Sequence, residues 1–220
     1  PSHLINPMQT TTFRPATPHD CHTIAKLYQI ASDGVTDYVW STLANDYPGL
    51  QPLEIGAKRY ADETNVFGYT HCILAERDGT TVGMMNTFPI APALNDSLPT
   101  EADRQPLDHE PDILAPYNLE APNTWYICAL AVFPEFRRQG IGTQFLTIAH
   151  QQAQTQGFDT LSLLCFEQNT KAVKLYQRQG FTTLDRTLVV PHPLIHYTGD
   201  LLLMTAPVKD FAQDTADNRK

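Results

Sequence analysis

Residues 129–146 read ALAVFPEFRRQGIGTQFL, and the order of residue types in this stretch decides how the chain is understood. An apolar run ends at Val132. A proline-containing turn follows, and Arg137, Arg138, Gln139, Gly140, Ile141 and Gly142 then lead directly into a helical pattern. Gly140 and Gly142 remove side chains where backbone N–H groups must crowd around a ligand. The first turn of the helix adds N–H donors without intrahelical partners and the positive end of the helix dipole. Such a turn suits a phosphate or pyrophosphate and needs neither metal nor lysine. The absence of Gly-Lys-Ser/Thr excludes a Walker loop, and the missing third glycine excludes a dinucleotide fingerprint. A glycine-rich strand-to-helix turn with no ligand is the plain alternative.

Outward from this turn the chain alternates between strand and helix patterns. Towards the N-terminus, residues 125–132 form an apolar run suited to a central strand buried on both faces. Before it, residues 71–77 and 81–88 read as strands joined at Asp78-Gly79, a strong hairpin signal. Residues 12–15 read as a short strand. Ile24, Leu27, Tyr28 and Ala31 have helical spacing with Gly34 as the stop, and residues 53–64 read as a second helix. Towards the C-terminus, residues 142–156 form a helix with Phe145, Leu146, Ile148 and Ala149 on its inner face, ended by Gly157. Residues 161–166 are a buried strand, 169–179 a helix, and 181–190 and 200–205 two closing strands. The predicted order is β-α-α-β-β-β-α-β-α-β-β, a mixed α/β fold in one domain over residues 12–206. Residues 1–11 and 207–220 are expected to be loose ends. Residues 89–123 interrupt the rhythm with seven prolines and seven acidic residues against the single Arg104. A loop of this length is functional or disordered, and Ile113, Leu114, Tyr117 and Leu119 argue for partial order.

The run VFPEFRRQGIG resembles the acetyl-CoA signature of the GNAT superfamily of N-acetyltransferases, Arg/Gln-x-x-Gly-x-Gly/Ala, with Arg137, Gly140 and Gly142 in its fixed positions. LYQRQGF at 175–181 is similar to the family's Leu-Tyr-x-x-x-Gly-Phe, with Asn169 ahead of it, and GDLLLM at 199–204 is similar to its last strand. The resemblance implies a GNAT fold with a central mixed sheet flanked by helices. It implies that backbone groups of Leu130 and Val132 pair with the pantetheine arm, and that the N–H groups of Arg137 through Gly142 hold the pyrophosphate. Tyr176 matches the tyrosine that protonates the departing thiolate; its other reading is a core tyrosine. Asn169 is a helix N-cap that would also serve the cofactor arm. Arg137 would neutralise phosphate or brace the loop, and Arg138 would reach a phosphate or remain solvated.

A general base is the gap in the pattern, because an alkyl ammonium must lose a proton before it attacks a thioester. Tyr126 and Cys128 face inward on the expected central strand, and Tyr126 would act by ordering water. Glu120 and His109 lie in the insertion, and Glu135 lies beside the pyrophosphate turn.

The formal charge of −9 disfavours nucleic acid and anionic membrane, and mildly favours a cationic small-molecule or peptide amine. No run is long and apolar enough to span a bilayer, and no signal pattern opens the chain, so a cytoplasmic protein is expected. Cys21, Cys72, Cys128 and Cys165 show no zinc spacing and read as free thiols, the last three buried, in a reducing compartment. The expected function is acetyl transfer from acetyl-CoA to a primary amine by direct attack in a ternary complex, with no metal; homodimers are common in such proteins. A CoA-binding sensor that has lost catalysis, and a module binding another phosphate ligand, are the competing functions.

Overall fold

The computed structural model describes residues 10–92 and 112–209. Twelve elements follow one another: β1 (Thr12–Pro15), α1 (Cys21–Ser32), α2 (Val35–Thr42), α3 (Pro52–Tyr60), β2 (Cys72–Arg77), β3 (Thr80–Ile90), β4 (Thr124–Val132), α4 (Ile141–Gln156), β5 (Thr160–Phe166), α5 (Thr170–Arg178), β6 (Thr182–Leu188) and β7 (Asp200–Pro207). The strands form one sheet in the order β1-β2-β3-β4-β5-β7-β6, and the fold is mixed α/β as expected. Two compact units divide the chain: residues up to Phe88 with Ile127–Ile148, and Pro89–Tyr126 with the residues from Ala149 onward.

In the first unit β1 pairs with β2, and β2 with β3, all antiparallel. Asp78 and Gly79 take φ of 49° and 73°, the left-handed pair that a two-residue hairpin turn requires. Arg14 ties this end together, donating to Glu76 on β2 and Asp20 ahead of α1, both at 2.8 Å. Its guanidinium holds the Asp20 carboxyl down to about 2.

One helix more than expected is present. Asp33 and Gly34 do end α1, with φ of 49° and 100°, but the chain re-enters helix at once as α2. Gly34 therefore separates two helices instead of opening a loop. Trp40 of α2 is fully buried, and α3 accommodates it only through Gly56, where a Cβ would stand 2.3 Å from the indole. The reading of a helix over 53–64 also runs long, since α3 stops at Tyr60. Asp62 draws back both the N–H and the hydroxyl of Thr64, at 2.9 and 2.8 Å, and Asn65 Nδ2 donates to Arg59 O. These local side-chain bonds compete with the helical ladder and end it.

The second unit is built on β5 and β7, paired antiparallel from Thr160↔Pro207 to Phe166↔Leu201, with β6 along the other side of β7. Leu201, Leu202, Leu203 and Met204 are all buried, so β7 is apolar on both faces. The outer strand β6 is exposed almost throughout, and a register shift between Thr183 and Asp185 breaks the flatness of that edge. Among the described residues, no helix is long and apolar enough to cross a membrane, and no cluster of three or more His, Cys, Asp or Glu is placed to hold a metal.

Candidate active site

The strand leading to the glycine turn is not buried on both faces, which corrects the reading from its composition. From Trp125 onward burial alternates: Trp125, Ile127, Ala129 and Ala131 are buried, whereas Tyr126, Cys128, Leu130 and Val132 are half-exposed. The apolar residues of the second set conceal the alternation in the sequence. The half-exposed face is the one carrying Leu130 and Val132, the residues expected to pair with an extended ligand arm, and Tyr126 and Cys128 continue it.

Cys128 does not supply the missing base. Burial, with some help from Cys72, pushes its thiol up to about 12, so it stays protonated at neutral pH. All four cysteines are free, with Cys21, Cys72 and Cys165 buried and Cys128 half-buried.

Past Val132 the chain makes a short 3-10 turn at Pro134–Phe136 and enters the glycine segment. The end of β4 is held closely against β3. Phe133 N–H donates to Val82 O at 2.9 Å, and a Cβ on Gly83 would meet Ala131 O at 2.8 Å. Glycine at 83 is therefore what lets β3 approach the strand just before the turn. Arg138 and Gly140 take φ of 59° and 81°, with Gln139 between them outside the positive-φ region. Alternation of hand over successive residues turns neighbouring N–H groups toward one side, the geometry of an anion-binding nest.

The donors of this turn are available. Arg137 N–H is spent within it, on Pro134 O at 3.3 Å, and Gln144 N–H is the first donor of α4 to enter the ladder, on Gly140 O at 3.0 Å. The N–H groups of Ile141, Gly142 and Thr143 precede that bond and belong to the unpaired first turn of a 16-residue helix. Arg137, Arg138, Gln139 and Gly140 are exposed, and a Cβ at Gly140 would meet nothing nearer than Gln144 Nε2 at 3.9 Å. Backbone donors beside glycines at 140 and 142, with open space at Gly140, fit a pyrophosphate. The Arg137 side chain braces the turn, Nε donating to Val132 O at 3.0 Å.

The second unit carries the other predicted residues on β5 and α5. Asn169 caps α5, its side chain accepting Ala172 N–H at 3.3 Å. Tyr176 is buried on that helix, its ring edge-on to Phe181 at 5.7 Å. The insertion begins as a continuation of β3 and closes on itself, since Asn123 N–H donates to Ala91 O at 3.1 Å. Near its end Pro116 and Ala121 are buried, and the Tyr117 ring packs edge-on against Phe166 at 6.2 Å. Burial raises the Tyr117 phenol to about 12. Asp108, His109 and Glu110 lie outside the described residues; Glu120 and Glu135 are exposed.

Two features of the site escaped the sequence. Gly83 was hidden because its glycine answers a close approach between strands, which only the fold creates. Arg77, at the end of β2, reaches the turn itself, donating through Nη1 to Gln139 Oε1.

The family model of the acetyltransferase (GNAT) family matches residues 36–181, and the chain belongs to that family. It is thus an acetyltransferase by family. Among solved structures it is similar to an N-acetyltransferase from Staphylococcus aureus, at 22% identity with 89% of this chain and 100% of that chain covered and a TM-score of 0.59. A second, described only as an acetyltransferase, gives 21% identity, 90% and 100% coverage, and a TM-score of 0.59. The PaiA N-acetyltransferase from Thermoplasma acidophilum, solved in complex with coenzyme A, gives 14%, 90%, 99% and 0.52. No curated protein matches the sequence.

Proposed function

We propose that the protein transfers the acetyl group of acetyl-CoA to a primary amine, by direct attack in a ternary complex. The observation that carries this reading is the turn of Arg138 through Thr143, exposed at Arg138, Gln139, Gly140 and Thr143, with two left-handed residues and the N–H groups of the first turn of α4 ahead of the ladder. The PaiA relative was solved with coenzyme A, which agrees with the donor proposed for this chain. In this reading backbone groups of Leu130 and Val132, near the end of β4, pair with the pantetheine arm. The N–H groups of Arg138, Gln139, Gly140, Ile141 and Gly142 hold the pyrophosphate, while Arg137 keeps the turn's shape.

The donor supplies an activated acetyl thioester. Transfer forms a C–N bond and breaks a C–S bond, the amine nitrogen releases one proton, and the departing sulfur gains one. Tyr176 is the proposed donor of that second proton, since a hydroxyl meeting the developing thiolate lowers the cost of its departure. The amine's own proton leaves through water ordered by Tyr126, whose half-exposed position on β4 suits that role. Asn169, beyond its cap role, is the proposed partner of the donor arm. Residues 89–123 form the acceptor wall, with acidic side chains that concentrate a cationic amine.

The deciding experiment follows free thiol release from acetyl-CoA over a panel of amines, for the parent and for Tyr176→Phe. Amine-dependent turnover that falls roughly ten- to ten-thousand-fold in the variant, with CoA affinity little changed, is the expected result. CoA binding without turnover on any amine would make the chain a sensor. Preference for ATP over CoA in a melting assay would make it a different phosphate-binding module. Shortening residues 93–111, or neutralising Asp108, Glu110 and Asp112 together, should raise the amine KM at low salt and leave the acetyl-CoA KM unchanged.

A further inference from the structure

The anion-binding turn is held from outside by a side chain that lies sixty residues upstream in sequence. Arg77 closes β2, immediately before the hairpin turn at Asp78-Gly79. Its guanidinium acts as a fork: Nε donates to Thr11 Oγ1 at 2.8 Å, and Nη1 donates to Gln139 Oε1. Gln139 is thereby oriented, with its carbonyl oxygen towards Arg77 and its Nε2 donating to Glu135 O at 3.4 Å. Arg137 closes the remaining side of the turn on Val132 O. Three side chains thus fix the outer rim of the segment 132–140, while the N–H groups inside it stay uncommitted.

We propose that Arg77 is a positioning residue for the phosphate-binding turn, acting through Gln139. It presets the left-handed residues on either side of Gln139, Arg138 and Gly140, so that the nest exists before a ligand arrives. The physical need is specific. Arg138 is a non-glycine residue at positive φ, a strained conformation that relaxes unless neighbouring contacts hold it. A turn free to relax must be reordered on binding, and that ordering subtracts from affinity. Arginine is the residue for this task because its planar fork reaches two acceptors at fixed angles. Lysine offers a single compact ammonium on a flexible stem.

The proposal rests on the acyl-CoA reading for its functional consequence, but its physical core is testable without ligand. Amide hydrogen exchange in the ligand-free full chain should speed up across residues 137–144 in Arg77→Met and in Gln139→Leu, with the rest of the chain unchanged. Calorimetry with CoA should show each variant weakened about tenfold, and the double variant no weaker than either single one, the signature of one shared interaction. Arg77→Lys should recover less than half of the loss. Unchanged exchange in both variants would overturn the brace, whatever CoA does. Losses that add in the double variant, or full rescue by lysine with a steep salt dependence, would overturn it in favour of a bare charge attracting phosphate. Brace-dependent exchange in a parent that binds no CoA would sink the acyl-CoA reading and with it the role in donor affinity. Gln139 is exposed, so Gln139→Leu keeps the test open if Arg77→Met fails to fold.

Discussion

At the start of α5, Asn169 takes the Val173 N–H on its carbonyl at 3.0 Å and the Ala172 N–H on its side chain at 3.3 Å. At the start of α4, Gly140 takes the Gln144 N–H on its carbonyl at the same 3.0 Å, and has no side chain to take another. Both helices follow a strand of the same sheet through a short connection. The first ladder bond is alike, but the residue that accepts it differs in side chain and in backbone, Asn169 at φ −79° and Gly140 at φ 81°. Asn169 takes up a donor of its own helix with its side chain, whereas Gly140 has none with which to cap the first donors of α4. A helix start can serve stability or binding, and the residue at its cap decides how far each is served.

The largest way to break this contrast is Gly140→Val. A β-branched residue at φ 81° is strained, so the turn would have to leave the conformation that sets its N–H groups. CoA affinity should fall by about a hundredfold or more, on the order of 3 kcal/mol, while circular dichroism stays that of the parent. Unchanged calorimetric affinity would move the donor site elsewhere.

Gly83→Ala tests what lies beneath the open helix start. The added methyl would press on Ala131 O, Phe145 and Val132, and the unfolding free energy should drop by about 1–3 kcal/mol. CoA binding should weaken along with it, because the strand end feeding the turn is displaced. A variant of parental stability by urea titration would show that β3 has room to give.

Asn169→Ala removes the capped side of the comparison. A loss of about 1 kcal/mol in urea unfolding is expected, with Asn169→Ser restoring most of it. Calorimetry on the two variants then separates the roles: weaker CoA binding in both assigns the side chain to the donor arm, and weaker binding in the alanine variant alone assigns it to the cap.

The smallest effect concerns α4 well past its start. His150 is buried, and Nδ1 accepts the Lys209 N–H at 3.2 Å. Burial, with a contribution from Lys209, pulls this imidazole down to about 4 from an ordinary 6.5. The folded state therefore favours neutral histidine. Its contribution is complete above about pH 6.5 and is lost as pH falls from there through 4. The urea midpoint should decline over that window and decline less in His150→Gln. Equal slopes would show that other groups carry the acid sensitivity.

The part of the site legible in the sequence was the part whose physics is local. A strand end, two glycines and a helical pattern lie within eighteen residues, and Asn169 stands where its own helix begins. Asp78-Gly79 was equally clear, because two residues determine a hairpin turn. What the sequence concealed depended on partners brought from far away. Arg77 looks like any strand-end charge until the fold sets it beside Gln139, and Gly83 looks incidental until β3 meets Ala131. The helix α2 was missed for a different reason: Gly34 terminates one helix and immediately precedes another, and a glycine reads the same in both settings. In β4, cysteine, leucine and valine on the half-exposed side hid the alternation that distinguishes its two faces.

The bond between Asn123 and Ala91 carries a consequence for how the chain could have changed over time. It fastens the two ends of the insertion, so a change in the number of residues between them acts through closure entropy and through the contacts that Pro116, Tyr117 and Ala121 make. Doubling such a segment costs only about 0.6 kcal/mol of closure entropy. Residues 93–111 could therefore be lengthened, shortened or rewritten at small entropic cost while Pro116, Tyr117 and Ala121 keep their contacts. A chimera carrying the corresponding segment of a relative in place of residues 93–111 should keep the parent's urea midpoint, and a changed amine preference in it would assign that segment to the acceptor side.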